Sequence, residues 1–201
     1  MTHNLLLLVF IFIFASCSTT VNEKDVAFSE KQLQFINPYK TNDTLFFEFE
    51  NKSLGDDTVI IQSFKKEQNF TRGFMGPPIN NYLDVQIKHL PIDKWQGTKT
   101  GLPMTIEYQR FISLSKIPEQ GDSTVCICFK NFTCSFIPDT IKSMKQLSFG
   151  GKTYSCYALH HEFPERIKDN SYIETLFWNK KLGLIAYRTK GGGTWIKKTG
   201  H

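Results

Sequence analysis

The chain has 201 residues, 40% of them hydrophobic and 14% aromatic, and its 24 Lys and Arg against 19 Asp and Glu give a formal net charge of +5. That apolar share, which includes 18 Phe, can fill a core and excludes a disordered or collagen-like chain, while the length suits one domain rather than two. The excess positive charge is spread along the sequence without a basic arm or an RNA-reading motif, so no nucleic acid is expected as a partner.

The first patterned stretch is residues 5–14, LLLLVFIFIF, followed by Ala15, Ser16 and Cys17. A run of this length is too short for a bilayer span, which needs about 20 apolar residues, and suits the apolar core of a signal peptide. After Cys17 the chain turns polar at once, through Ser18, Thr19, Thr20, Asn22, Glu23, Lys24 and Asp25. The string Phe14-Ala15-Ser16-Cys17 resembles a bacterial lipobox, in which a large apolar residue and two small ones precede the lipidated cysteine. Small residues stand there because the peptidase must close around the backbone at the scissile bond. The resemblance implies a lipoprotein signal peptide over residues 1–16, a diacylglyceryl thioether on Cys17 with an acylated amino terminus, and a lipidated tether over residues 17–30. Acyl chains anchor without spanning, each buried CH₂ contributing about 0.8 kcal/mol. Ser18 rather than Asp after the cysteine implies the outer membrane, on its periplasmic or its outer side.

From residue 31 to residue 201 a single β-rich domain is expected. Apolar and polar residues alternate at period two in short segments, the mark of half-buried strands. Strands are expected at residues 32–36, 44–50, 58–64, 82–90, 104–114, 124–132, 153–160, 172–178, 184–189 and 194–197. In residues 44–50, Leu45, Phe47 and Phe49 oppose Phe46, Glu48 and Glu50; in residues 82–90, Leu83, Val85, Ile87 and His89 oppose Asp84, Gln86 and Lys88. In residues 104–114, Met104, Ile106 and Tyr108 oppose Thr105, Glu107 and Gln109. Turn residues separate these runs, among them Gly55-Asp56, Gly76-Pro77-Pro78, Gly121-Asp122, Gly150-Gly151 and Gly191-Gly192-Gly193. The expected fold is all-β: an antiparallel sandwich, barrel or curved sheet with at most one or two short helices. The helix candidates are residues 138–145, where Asp139 could cap, and the region of residues 164–168. Residues 55–61 (GDDTVII) and 121–127 (GDSTVCI) echo each other, which is read as two turns feeding two buried strands rather than as a duplication.

With Cys17 lipidated, Cys126, Cys128, Cys134 and Cys156 remain, and an even number in an exported chain points to disulfides. Cys126 and Cys128 share a strand face with Cα atoms about 6.6 Å apart, near the upper limit for a bridge, so they are not expected to pair with each other. The open alternatives are Cys126 with Cys134 and Cys128 with Cys156, or Cys126 with Cys156 and Cys128 with Cys134. Free buried thiols are a further reading, and a metal site joining Cys126 and Cys128 to a histidine of His160-His161 a weaker one. No metal or other cofactor is expected, since the adjacent imidazoles of His160 and His161 point to opposite faces of a strand. His89 reads as a hydrogen-bonded core or rim histidine. No nucleophile elbow, phosphate loop or dinucleotide fingerprint occurs, so no catalytic residue is assigned and a non-enzymatic role is expected.

Toward the carboxyl end come Lys152-Thr153-Tyr154, the run 176–187 (LFWNKKLGLIAY) and Gly193-Thr194-Trp195. This quarter of the chain resembles the closing strands of small uncharacterised outer-membrane lipoproteins of the Bacteroidota type, with Gly183 relieving a turn or bulge and Trp195 plugging the sheet. The resemblance implies an envelope lipoprotein with no assigned activity. It also implies O-glycosylation acceptors at Thr44, Thr58, Ser123 and Thr140, each following an Asp. The expected role is a non-enzymatic binding or structural module, anchored in the membrane and meeting an envelope partner. The alternative is a carrier that holds a lipid or other hydrophobic ligand in a Phe-lined half-barrel.

Overall fold

The computed structural model describes residues 19–20, 26–50, 56–69, 71–72, 80–96, 103–117, 122–141, 144–149, 151–162 and 169–198. Residues 1–16, read above as a signal peptide, Cys17 and the helix candidate at 164–168 lie outside them. In chain order come β1 (Thr19–Thr20), α1 (Glu30–Leu33), β2 (Thr44–Phe49), β3 (Asp57–Asn69), β4 (Thr71–Arg72), β5 (Asn80–Gln96) and β6 (Pro103–Ile117). There follow β7 (Asp122–Phe129), β8 (Phe132–Phe136), β9 (Lys145–Phe149), β10 (Lys152–His160), β11 (Ile173–Asn179), β12 (Gly183–Thr189) and β13 (Thr194–Lys197). The fold is therefore all-β, and β1 with β4 makes a separate ribbon.

The other eleven strands form one antiparallel sheet in the order β8-β7-β6-β5-β3-β2-β13-β12-β11-β10-β9, curled into a half-barrel. Almost every neighbour in the sheet is a neighbour along the chain, and the join is β2 with β13, where the two ends of the domain meet. The topology is that of an up-and-down barrel cut open between β8 and β9. At one end the cut is tied: the Glu162 N–H donates to the Thr133 carbonyl at 2.9 Å, and the Ile173 N–H to Asn131 Oδ1 at 3.0 Å. β10 serves two neighbours, pairing through Lys152 to Cys156 with β9 and through Tyr157 to His160 with β11.

Period-two patterning aims Leu45, Phe47, Val59, Ile61, Val85, Ile87, Leu114, Val125, Ile127 and Phe129 into the curl, all 3% exposed or less. Each such side chain contributes about 1.5–3 kcal/mol by leaving water. β11 and β12 are buried on both faces: Trp178, Leu184 and Tyr187 join the main core, while Phe177, Ile185 and Ala186 pack with Phe149 and Cys156 in a second cluster. The echo at 55–61 and 121–127 is two strand starts that send Val59 and Ile61, then Val125 and Ile127, into one core.

The strand expected at 32–36 is instead helix α1 and the turn after it. Ser29 caps the helix: its Oγ accepts from the Gln32 N–H, and the Gln32 side chain accepts from the Ser29 N–H. Ser29 with Gln32 three residues on is a capping box, a signal the period-two reading passed over. The segment fills the lumen. Phe35 packs on Phe136, Tyr157 and Trp178 at 5.2–6.2 Å between ring centres, and Tyr39 on Phe111 and Trp178 at 5.5 and 5.8 Å. Docking starts inside the stretch read as tether: Val26 is fully buried, and its carbonyl accepts from Asn81 Nδ2 at 2.8 Å.

Three other expectations shift. Tyr108 points outward, 57% exposed, while Gln109 turns inward; a register shift between β5 and β6 then lets both Phe111 and Ile112 face the core. Residues 124–132 are a hairpin, β7 and β8 joined at Lys130-Asn131. Of the described residues in 138–145, Pro138–Thr140 coil as a 3₁₀ turn, and Lys145 begins β9. Among the described residues no helix is long and apolar enough to cross a membrane.

Candidate functional site

The β7–β8 turn is the hub of a polar network at one end of the lumen. A two-residue hairpin loop needs positive φ, and Lys130 takes φ +54°. Gln109 clamps that residue from β6: its Oε1 accepts from the Lys130 N–H at 2.8 Å, and its Nε2 donates to the Lys130 carbonyl at 2.9 Å. The two bonds fix the amide's orientation. His89 Nε2, 2.9 Å from the same Oε1, must therefore donate its proton. His89 is fully buried on β5 with its ring against Phe129, the core placement expected of it.

From Lys130 the network runs on to β3 and β12. Lys130 Nζ lies 3.1 Å from Asp57 Oδ1, and the Tyr187 hydroxyl donates to Asp57 Oδ2 at 2.7 Å. The Asp57 side chain is only 7% exposed, so two charge-assisted contacts offset its loss of water. The sequence assigns no functional role to Asp57, Lys130 or Tyr187, and its alternation places Gln109 on the polar face.

Above this network opens a cleft of about 460 Å³, lined by Phe49, Lys130, Asn131, Ser171, Tyr187 and Trp195 with Asn170 and the Gly191 and Gly193 turn. Trp195 stacks on Tyr187 with 12° between ring planes and meets Phe49 at 5.4 Å. Gly193 admits the Phe49 ring, because a Cβ there would lie 2.7 Å from Phe49 Cε2. The result is an aromatic floor with amide and hydroxyl groups on its rim. A second cleft, about 380 Å³, lies between the β9–β10 turn and β2 and β13, and a third, about 370 Å³, sits beside α1 at the open seam.

All four described cysteines are thiols. Both expected connectivities join Cys134 to Cys126 or Cys128, and the register opposes both. Cys134 sits opposite Ile127 and faces the core, whereas Cys126 and Cys128 sit opposite Ser135 and Thr133 on the other face. Cys156 is buried in the second cluster, and burial pushes its thiol up to about 11 and that of Cys134 up to about 12. Cys126 and Cys128, not expected to pair, bring their Sγ atoms to 3.7 Å.

His160 Nδ1 lies 3.3 Å from Thr175 Oγ1 and His161 Nε2 3.2 Å from the Asn131 carbonyl, so the two rings serve different neighbours. Among the described residues no three His, Cys, Asp or Glu gather as a metal set. Comparison with protein-family models, with curated proteins and with solved structures finds no match to this chain.

Proposed function

We propose that this chain is an envelope lipoprotein held to the outer membrane through Cys17, and that its half-barrel is a non-enzymatic binding module whose ligand sits in the cleft over Trp195. The observation that carries the binding reading is the pairing of a flat aromatic floor with a polar rim of Asn131, Asn170 and Ser171. Such a surface suits a ligand with one apolar face and an edge of hydroxyls, the chemistry of a saccharide. The network from His89 to Tyr187 supports this by holding Lys130, and with it Asn131, in one place. The resemblance of Phe14-Ala15-Ser16-Cys17 to a lipobox supports the anchor.

Titration of the full chain with envelope oligosaccharides, read by tryptophan fluorescence, is expected to saturate. Trp195→Ala should weaken binding at least tenfold, since stacked rings dominate such contacts, and because the indole packs on Tyr187 and Phe49 it also costs stability, so the titration is read below the variant's unfolding transition. A ligand footprint away from the cleft overturns the assignment. Mass spectrometry of the mature amino terminus tests the anchor separately: an unmodified Cys17 sinks it.

The carrier reading stands second, on the aromatic residues of the half-barrel. Phe35 and Tyr39 occupy the lumen with Trp178, so an acyl chain would enter only as the segment holding α1 swings out. A fluorescent fatty acid displaced by no saccharide, and lost on Phe35→Trp, favours that alternative.

A further inference from the structure

We propose that Cys126 and Cys128 form an accessible dithiol that reduces an exposed disulfide presented to the outer face of β7, Cys126 attacking and Cys128 resolving. The two Sγ atoms lie 3.7 Å apart on one face, and both residues are only half-buried. Opposite them on β8 stand Ser135 and Thr133, whose small hydroxyl side chains leave the sulfurs approachable. β8 is the end strand of the sheet, tied across the cut at Asn131 and Thr133 beside the turn, so the hairpin that carries the pair pairs with a strand on one side only beyond those two residues. Closing the pair requires the sulfurs to approach by about 1.7 Å, to the ~2.0 Å of a disulfide. The Cα separation of about 6.6 Å in an extended strand lies near the upper limit for bridges, so closing the pair also draws the two residues together and bends β7.

The pair is also polarised. Either thiol can donate across the 3.7 Å contact; with Cys128 as donor, the bond, with help from Ser135 and from Arg110 on β6, holds the Cys126 thiol below its ordinary value. Burial and the Glu162 carboxylate oppose the shift without reversing it. Cys128 moves the other way, its proton held by the bond to Cys126 and by burial. One member thus leans toward the thiolate while the other holds its proton, the division that exchange requires. Cys134 and Cys156 are buried and raised, and neither competes.

The step balances. The Cys126 thiolate attacks one sulfur of RS–SR, the S–S bond breaks, and RS⁻ leaves and takes a proton from water. Cys128 then gives its proton to solvent and attacks Cys126 Sγ, forming the Cys126–Cys128 bond and releasing the second RS⁻. Two protein thiols are oxidised and one disulfide is reduced to two thiols.

Oxidised glutathione is the probe. Treated full chain should lose two hydrogen atoms, and peptide mapping under non-reducing conditions should place the new bond between Cys126 and Cys128. In Cys128→Ser the mixed disulfide should accumulate on Cys126. The rate of iodoacetamide labelling at Cys126 should fall below a midpoint of about pH 6 and hold above it. Cys128→Ala should move that midpoint up by two units or more, toward the ordinary thiol value of about 8.5. Adducts on Cys134 or Cys156, a trapped adduct on Cys128, or a wild-type map without a Cys126–Cys128 bond overturns the proposal. The non-reducing peptide map of the wild type decides it even where a variant fails to fold.

Discussion

Asp57→Ala is expected to destabilise the domain by about 3 kcal/mol, the low end of the range for breaking a buried ion pair. Its carboxylate faces Lys130 Nζ at 3.1 Å and accepts the Tyr187 hydroxyl at 2.7 Å, so the substitution takes an acceptor from both. The low end applies because the Lys130 side chain retains 21% of its exposure and water can partly replace the carboxylate. In a chain of this size the loss corresponds to roughly 6–12 °C in melting temperature. Asp57→Asn should cost less, since the amide oxygen still accepts from Tyr187 and only the charge is lost. Tyr187→Phe removes the hydroxyl alone and should cost about 1 kcal/mol. Urea denaturation of the three variants checks the order. An Asp57→Ala midpoint equal to wild type would mean that the network contributes nothing to the fold. The same variant should also loosen the cleft, because the Lys130 amine is one of the ties holding the turn that carries Asn131.

That network lies beyond what sequence patterning can reach. Period-two alternation places Val59, Ile61, Val85, Ile87 and His89 on the inner face, because each of those strands has one side in the lumen and one in water. Alternation also separates Cys126 and Cys128 from Ile127. It fails where the inner face is polar by design: Gln109 reads as a solvent-facing residue, yet it points inward to meet a backbone turn 21 residues away. Asp57 and Tyr187 are 130 residues apart, and nothing local to either announces the other. The same limit hid the plug. Residues 32–36 alternate plausibly as a strand, but the Ser29 to Gln32 capping box starts a helix, and what decides the matter is the lumen that Phe35 and Tyr39 fill. The closure of β2 on β13 is equally non-local. The aromatic excess was legible as a count, whereas its use, rings packed on rings inside an opened barrel, depends on the curl of the whole sheet.

Gly183→Ala is expected to cost about 2–5 kcal/mol, from two causes that can be separated. The first is backbone strain: Gly183 has φ +72°, a conformation that disfavours a side chain by about 1–2 kcal/mol. The second is collision, because a Cβ at this position would lie 2.2 Å from Tyr39 Oη and 2.5 Å from Tyr39 Cζ. Tyr39 cannot step aside, being 4% exposed and wedged between Phe111 and Trp178, and overpacking of that kind adds about 1–3 kcal/mol. Any retreat would also break the bond from the Leu184 N–H to the Tyr39 hydroxyl, 2.7 Å long and buried. Asparagine tolerates positive φ far better than alanine, so strain alone would make Gly183→Asn mild. Collision predicts that Asn is as damaging as Ala, since both carry the Cβ. Removing the obstacle gives the complementary test: in a Tyr39→Leu background, Gly183→Ala should cost only the strain, so the pair is non-additive by more than about 1 kcal/mol. Tyr39 is the last ring of the plug, so the glycine at the start of β12 fixes how deeply the segment from Val26 to Tyr39 sits in the barrel. Amide exchange across that segment should accelerate in Gly183→Ala well before the β5–β6 pair loosens. Uniform acceleration over the whole sheet would mean that plug and barrel unfold as one unit, and that the lumen does not open by release of α1.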